Sequence, residues 1–170
     1  VIPFSLPVTA FGGDGKDNLS TSGSGPVVFE GGDDDDTLIG GSGGDILKGG
    51  AGNDYLEGRG GIDRLEGGSH NDVVFGQIAD LSGDTALGGT GKDKFEVKGM
   101  PGSDDFGLTL PSPGQLLISH NTFSSITVSA FEDVLVVPAD GADTVRLEGD
   151  LTNSGIETFF VSLAETEGTS

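Results

Sequence analysis

Apolar side chains in the first half of the chain recur neither at helical spacing nor in the alternation of a long strand, but once every nine positions. Leu38, Leu47, Leu56, Leu65 and Val74 form an unbroken run. Leu19, Phe29, Ala86 and Phe95 keep the same period once Thr21 and the stretch 76–78 are read as insertions. Between them one pattern repeats: a glycine pair, a short polar stretch, Asp in sixth place and the apolar residue in eighth. GGDDDDTLI (31–39), GGSGGDILK (40–48) and GGAGNDYLE (49–57) show it most clearly. GGDGKDNLS (12–20), SGSGPVVFE (22–30), GRGGIDRLE (58–66), GGSHNDVVF (67–75), ADLSGDTAL (79–87) and GGTGKDKFE (88–96) complete the array. The sixth place is filled by Asp17, Val27, Asp36, Asp45, Asp54, Asp63, Asp72, Asp84 and Asp93.

The spacing has a physical reading. Glycine-rich hexads predict turns with positive φ, which glycine adopts without steric cost. The next three residues predict a short strand whose middle side chain alone points inward. Such a strand cannot stand by itself, but stacked coils bury the eighth positions as a continuous row. Two units with two turns close one coil, so residues two units apart lie above each other at about 4.8 Å. The ninth places Glu30, Lys48 and Glu66 then alternate in sign along one face, as good cross-strand neighbours do.

Stacking also lines up charge. Asp36, Asp54 and Asp72 fall in one column, Asp45 and Asp63 in the other. At about 5 Å and an effective dielectric near 20, each adjacent pair repels by roughly 3 kcal/mol. A divalent cation between the carboxylates reverses the sign of that interaction. Calcium suits best, being oxygen-seeking with bonds of about 2.3–2.6 Å, whereas magnesium demands a tighter octahedron. Zinc would call for His or Cys, and the chain has 2 His and no Cys.

Composition narrows the partners. Against 28 Asp and Glu stand 8 Lys and Arg, a formal net charge of -20, which excludes nucleic acid and disfavours anionic membranes. No apolar run is long enough to span a bilayer, and the first residues lack the basic start of a signal peptide. The chain reads as a piece of a longer protein. GGSGG (40–44) matches a nucleophile elbow only formally, without its strand-to-helix setting. GGTGKD lacks the ends of a phosphate loop. His70 and His120 are expected in surface or turn roles.

The nonapeptide G-G-x-G-x-D-x-U-x, with U apolar, resembles the RTX (repeats-in-toxin, haemolysin-type) family over residues 12–96. The resemblance implies a right-handed parallel β-roll with about four to six calcium ions between turns of successive coils. It also implies a ligand set: carbonyls from places two and four of the earlier turn, one and three of the later, and both sixth-place Asp. Carried over, Gly32, Asp34 and Asp36 would meet Gly49, Ala51 and Asp54. Gly50, Gly52 and Asp54 would meet Gly67, Ser69 and Asp72. Opposite, Gly41, Gly43 and Asp45 would meet Gly58, Gly60 and Asp63. Outer sites would join Gly13, Gly15 and Asp17 to Gly31, Asp33 and Asp36, and Gly68, His70 and Asp72 to Gly88, Thr90 and Asp93. Val27 removes one carboxylate, so its site with Asp45 is expected to be empty. Asp84 lies in a degenerate unit and is not expected to pair with Asp63. Arg59 and His70 replace glycines and are expected to strain their turns.

The expected organisation is a leading strand or linker (1–11), the calcium-binding roll (12–96), a Pro- and Gly-rich loop (97–115) and a degenerate β-solenoid continuation or cap (116–170). The runs LLIS, SITVS, DVLVV, TVRLE and TFFVSL centre near 117, 127, 135, 145 and 160, close to half-coil steps. PADGADTVR (138–146) is a decayed unit with Asp143 in sixth place and Val145 in eighth. A small separate β-sandwich is the alternative for this half. The resemblance further implies a non-catalytic module of a secreted bacterial protein, exported by a type I route and folding on calcium at the cell surface or in a matrix, with a structural or adhesive role. Other copies or flanking domains of the same protein are the expected partners. The alternatives are a carbohydrate-binding accessory module, or the tail of a secreted alginate epimerase, lipase or protease.

Overall fold

The computed structural model describes residues 7–120, 124–137, 139, 143–148 and 155–161, and among these there are strands but no helix. One sheet begins with β1 (Val8–Asp14), β3 (Val27–Asp33), β5 (Ile46–Ala51), β7 (Arg64–Ser69) and β9 (Thr85–Thr90). The other stacks β2 (Asn18–Ser20), β4 (Thr37–Ile39), β6 (Tyr55–Glu57), β8 (Val73–Gln77) and β10 (Lys94–Lys98). All of these neighbours are parallel, and the register is the one the nonapeptide predicts. Phe29, Leu47, Leu65 and Ala86 stack in one row; Leu19, Leu38, Leu56, Val74 and Phe95 stack in the other. The insertions leave both rows in step. Ile78 and Leu81 turn inward beside the second one and join the core.

The two sheets are not alike. In β2, β4 and β6 the predicted three-residue strand is what forms. In β3, β5, β7 and β9 the strand runs on through the glycine pair of the next unit, longer than the pattern predicts. Gly32, Gly50, Gly68 and Gly89 stack in register there with φ between 120° and 126°. A Cβ on Gly68 would collide with the carbonyl of Gly50, so only glycine lets these coils close up. On the outer face the Lys48 ammonium lies 3.0 Å from Glu30, while Glu66 takes a hydrogen bond from Arg64 at 2.6 Å. Such exposed pairs contribute well under about 1 kcal/mol each.

Beyond Lys98 the roll continues through partners far apart in sequence. β13 (Ser124–Ser129) lies parallel on β9, with Val128 on Ala86. β14 (Asp133–Val137) lies parallel on β10, with Val134 on Phe95, and β16 (Thr158–Val161) adds Phe159 to the same row. The all-β roll grading into a less regular solenoid is thus the fold. Two expectations give way. The stretch 97–115 is not loop throughout, because β11 occupies Asp105–Ser112. Nor are the runs near 117 and 127 successive half-coils, because β12 (Gln115–His120) is antiparallel to both β11 and β13. The cause is Pro113-Gly114, which joins Ser112 directly to its partner Gln115 with Gly114 at φ 75°. Pro followed by positive-φ Gly closes a tight type II turn, not a coil. β15 (Thr144–Glu148) returns to parallel pairing, placing Val145 on Phe106. Residues 1–6 of the leading segment, 138 and 140–142 of the decayed unit, and 162–163 of TFFVSL lie outside the described residues.

The stacked rows set the stability of the roll. Leu56 is fully buried between Leu38 and Val74, so Leu56→Ala should cost about 2–5 kcal/mol. Ile62, which is 70% exposed, should tolerate Ala within about 0.5 kcal/mol. Denaturant unfolding in calcium would measure both.

Candidate metal centre

The sixth-place carboxylates of Asp36, Asp45, Asp54, Asp63, Asp72, Asp84 and Asp93 are buried and that of Asp17 is half-buried, and their two oxygens do different things. From Asp36 onward, Oδ1 accepts a hydrogen bond from the backbone N–H of the sixth-place residue one coil earlier. The bonds run from Asp17 to Asp36 (2.8 Å), Asp36 to Asp54 (2.8 Å), Asp54 to Asp72 (2.8 Å) and Asp72 to Asp93 (2.9 Å) along one edge. On the other edge they run from Val27 to Asp45 (2.9 Å), Asp45 to Asp63 (2.7 Å) and Asp63 to Asp84 (2.8 Å). Except at Asp45, the second oxygen has no such partner. Oδ2 of Asp17, Asp36, Asp54, Asp63, Asp72, Asp84 and Asp93 is buried without a hydrogen bond. An ionised oxygen in that state is costly unless a cation compensates it.

Except at Asp84, whose unit opens with Ala79, the space beside each orphaned oxygen is kept open by the first-place glycine. A Cβ on Gly67 would lie 2.5 Å from both Asp72 Oδ2 and the carbonyl oxygen of Gly88 on the next coil. The missing Cβ of Gly31 opens between Asp36 Oδ2 and the Gly49 carbonyl, and that of Gly49 between Asp54 Oδ2 and the Gly67 carbonyl. At the head of the column Gly12 stands in the same relation to Asp17 and Gly31. Among the described residues no three His, Cys, Asp or Glu side chains converge so as to hold a metal ion by themselves. A cation here would therefore take two carboxylates and otherwise backbone oxygens, a hard all-oxygen set that suits calcium.

The expected ligands on the first edge come together in this geometry. The place-two carbonyls of Gly13, Gly32, Gly50 and Gly68 each abut the stacked glycine of the following coil. Asp34, at φ 77°, has its carbonyl against Gly52, and His70, at φ 83°, has its carbonyl against Gly91. The place-three carbonyls of Asp33, Ser69 and Thr90 accept N–H bonds from Gly15, Gly52 and His70 at 3.1, 3.2 and 2.8 Å. Ala51 stands in register between Asp33 and Ser69. His70 and Arg59 thus keep the positive φ of the glycines they replace, Arg59 at 69°.

The second edge is built differently. Gly41 and Gly43 lack positive φ, and the Gly41 N–H bonds Asp45 Oδ2 at 2.7 Å. Asp45 therefore has both oxygens engaged, as fits its place beside Val27. Gly58 packs against Asp63, and the Gly60 N–H donates to the Gly41 carbonyl at 3.1 Å. Asp84 does pair with Asp63, against expectation, because Leu65 and Ala86 remain in register across the insertion.

A family comparison agrees with this geometry. The model for the RTX calcium-binding nonapeptide repeat, in 4 copies, matches residues 11–47, 30–65 and 48–80. Residues 11–80 are RTX repeats. Such repeats are calcium-binding modules typical of secreted bacterial proteins. No curated protein and no solved structure matches the chain significantly.

Past the matched segment the RTX geometry persists in altered form. Gly99, Gly102 and Asp104 repeat places one, four and six, and the Asp104 N–H donates to Asp143 Oδ1 at 2.9 Å. Here the carboxylate is satisfied by the protein itself. Asp104 Oδ2 accepts the Met100 N–H at 3.0 Å, and Oδ1 lies 2.7 Å from His120 Nε2. His120 is 6% exposed and tilted against Phe106, not a surface residue as its sequence context suggested. Outside the column, a second ladder joins fifth-place side chains on the first edge only. Asp35 Oδ1 accepts the Asn53 N–H (2.9 Å), Asn53 Oδ1 that of Asn71 (3.1 Å), and Asn71 Oδ1 that of Lys92 (2.8 Å). Lys16 pairs with Asp35 at 2.5 Å at its head.

Burial without a counter-ion raises the carboxyl pKa values. Desolvation, together with nearby carboxylates, pushes Asp63 and Asp72 up to about 7 and Asp84 to about 6, and raises Asp54 and Asp93. These groups bind protons on folding, so the metal-free fold loses stability as pH rises from about 4 towards 7. In EDTA, circular dichroism should show more β structure at pH 5 than at pH 8, whereas saturating calcium should level the difference. A flat pH response in EDTA would contradict the burial of these groups. Gly67→Ala, which fills the cradle beside Asp72, should remove one calcium ion in a binding titration.

Proposed function

We propose that this chain is a calcium-dependent folding module of a secreted bacterial protein, structural or adhesive in role and without catalytic chemistry of its own. The observation that carries this reading is the column Asp17, Asp36, Asp54, Asp72 and Asp93, whose unpartnered, solvent-shielded carboxylate oxygens each face a backbone carbonyl across a gap held open by glycine. When bound, calcium would neutralise those oxygens and tie consecutive coils together. The ligands would be the sixth-place Asp and the turn carbonyls named above, with Asp36, Asp54 and Asp72 each shared between neighbouring ions. In calcium-poor cytoplasm the roll would stay unfolded through residue 96, because like charge and 32 glycines both oppose it. Calcium at roughly 0.1–1 mM, the extracellular range, would fold it. Export by a type I route and display at a surface or in a matrix fit that switch. The roll of 12–96 would be the calcium-responsive part, and the coils beyond it a continuation that seals its end.

Calcium titrations followed by circular dichroism test this directly. The wild-type chain should gain β signal cooperatively, and an equal signal in EDTA and calcium at pH 8 would overturn the reading. Asp54→Ala removes a carboxylate shared between two sites and should raise the calcium midpoint severalfold. Asp45→Ala, whose carboxylate is already satisfied by Val27 and Gly41 amides, should raise it less. Asp14→Ala, exposed in the third place, should leave it unchanged.

A further inference from the structure

The orphaned oxygen of Asp93 has no repeat unit after it to supply a partner. Beyond β9 and β10 the chain leaves the roll through β11 and β12 and returns only at β13 and β14. The turn that then meets Asp93 is Ala130-Phe131-Glu132, which has neither a glycine pair nor a sixth-place Asp. It nevertheless reproduces the relations of an RTX turn atom by atom. The Asp93 N–H donates to Glu132 Oε2 at 2.8 Å, as each earlier Asp does to the carboxylate of the following coil. The Asp133 N–H donates to the Asp93 carbonyl at 3.0 Å, as Thr37 does to Asp17 and Tyr55 to Asp36. The missing Cβ of Gly88 opens between Asp93 Oδ2, 2.8 Å away, and the Ala130 carbonyl, the role that Gly88 itself plays for Asp72.

Three differences explain why no motif marks the place. The turn is three residues shorter than a nonapeptide hexad, and the added methylene of Glu lets the carboxylate reach back to the column. Ala130 takes φ 53° where glycine would stand. Phe131 fills the vacated volume, buried and edge-on to Phe95 at 5.6 Å. The decisive observation is Asp93 itself, 0% exposed with Oδ2 unbonded and aimed into this gap. On the near side, Gly89 and Gly91 stand in the second and fourth places, and β13 pairs with β9 only over Thr85–Leu87.

We propose that Asp93 and Glu132, with the Ala130 carbonyl, hold a further calcium-type divalent cation that joins the last repeat to the C-terminal coils. This rests on the calcium-binding reading of the repeats and extends it to a residue outside them. The site couples residues 39 apart in sequence, so its ion fastens the returning β14 onto β10.

The test uses the full chain, with calcium counted by isothermal titration calorimetry and backbone amides followed by hydrogen exchange. Glu132→Gln keeps an oxygen for the Asp93 N–H and removes only the charge. It should bind one calcium fewer and exchange the amides of Val134–Val136 at least tenfold faster in calcium, with those of β4 and β6 unchanged. Glu132→Asp, charged but a methylene short, should lose the same ion. Glu157→Gln, an exposed neighbour, should lose none. Equal stoichiometry and exchange in wild type and Glu132→Gln would overturn the site while leaving the repeats intact as calcium ligands. Loss of every ion in both Glu132 variants would make Glu132 a structural acceptor and also overturn it. A wild-type chain that binds no calcium would sink the reading of the repeats together with this site.

Discussion

One buried hydrogen bond is repeated from coil to coil, and the rest of the roll is arranged around it. The sixth-place carboxylate reaches back to the amide of the coil before it, which fixes the rise, the register and the burial of its own second oxygen. That burial is what makes the apo structure expensive. Short strands stacked around two narrow rows of apolar side chains give too small a core to absorb a column of desolvated charges. On the function proposed above, the fold is therefore conditional on something that neutralises them, protons at low pH or a cation at neutral pH. In most globular proteins a ligand decorates a fold that already exists; here the electrostatics of the site and the stability of the coil are one quantity.

The glycines serve that arrangement in two separable ways. Gly32, Gly50, Gly68 and Gly89 are needed for conformation and close approach, since their φ is positive and a neighbouring carbonyl occupies the Cβ position. Gly31, Gly49 and Gly67 are needed for space, since their Cβ would fall between carboxylate and carbonyl. Asp34, Arg59 and His70 show that residues with side chains can also take the positive φ of these turns.

What could be read from the sequence followed the physics of repetition. A nonapeptide with one apolar and one acidic place determines both rows of the core and both charge columns, so Leu38, Leu56 and Asp54 were legible at once. Asp84 was underrated because the ADLSGD turn is unlike the others, yet the intact Leu65–Ala86 register carries it into line. The hairpin of β11 and β12 had a local signal, Pro113-Gly114, that was outweighed by an approximate spacing. Glu132 and His120 left no signal in a single chain. Their partners, Asp93 and Asp104, lie 39 and 16 residues away, and only the folded topology brings them together.

The amide-to-carboxylate bonds all point the same way along the chain. Each coil donates its amide to the coil that follows, from Asp17 through Asp93 to Glu132, whereas the fifth-place ladder runs in the reverse sense outside it. The two ends of the stack are therefore unequal. Stripping a coil from the leading end bares a carboxylate acceptor, and stripping one from the trailing end bares an amide donor. A new coil laid on a trailing neighbour finds its acceptor already in place. A coil docking at one end of the stack therefore meets a row of acceptors, and a coil docking at the other meets a row of donors.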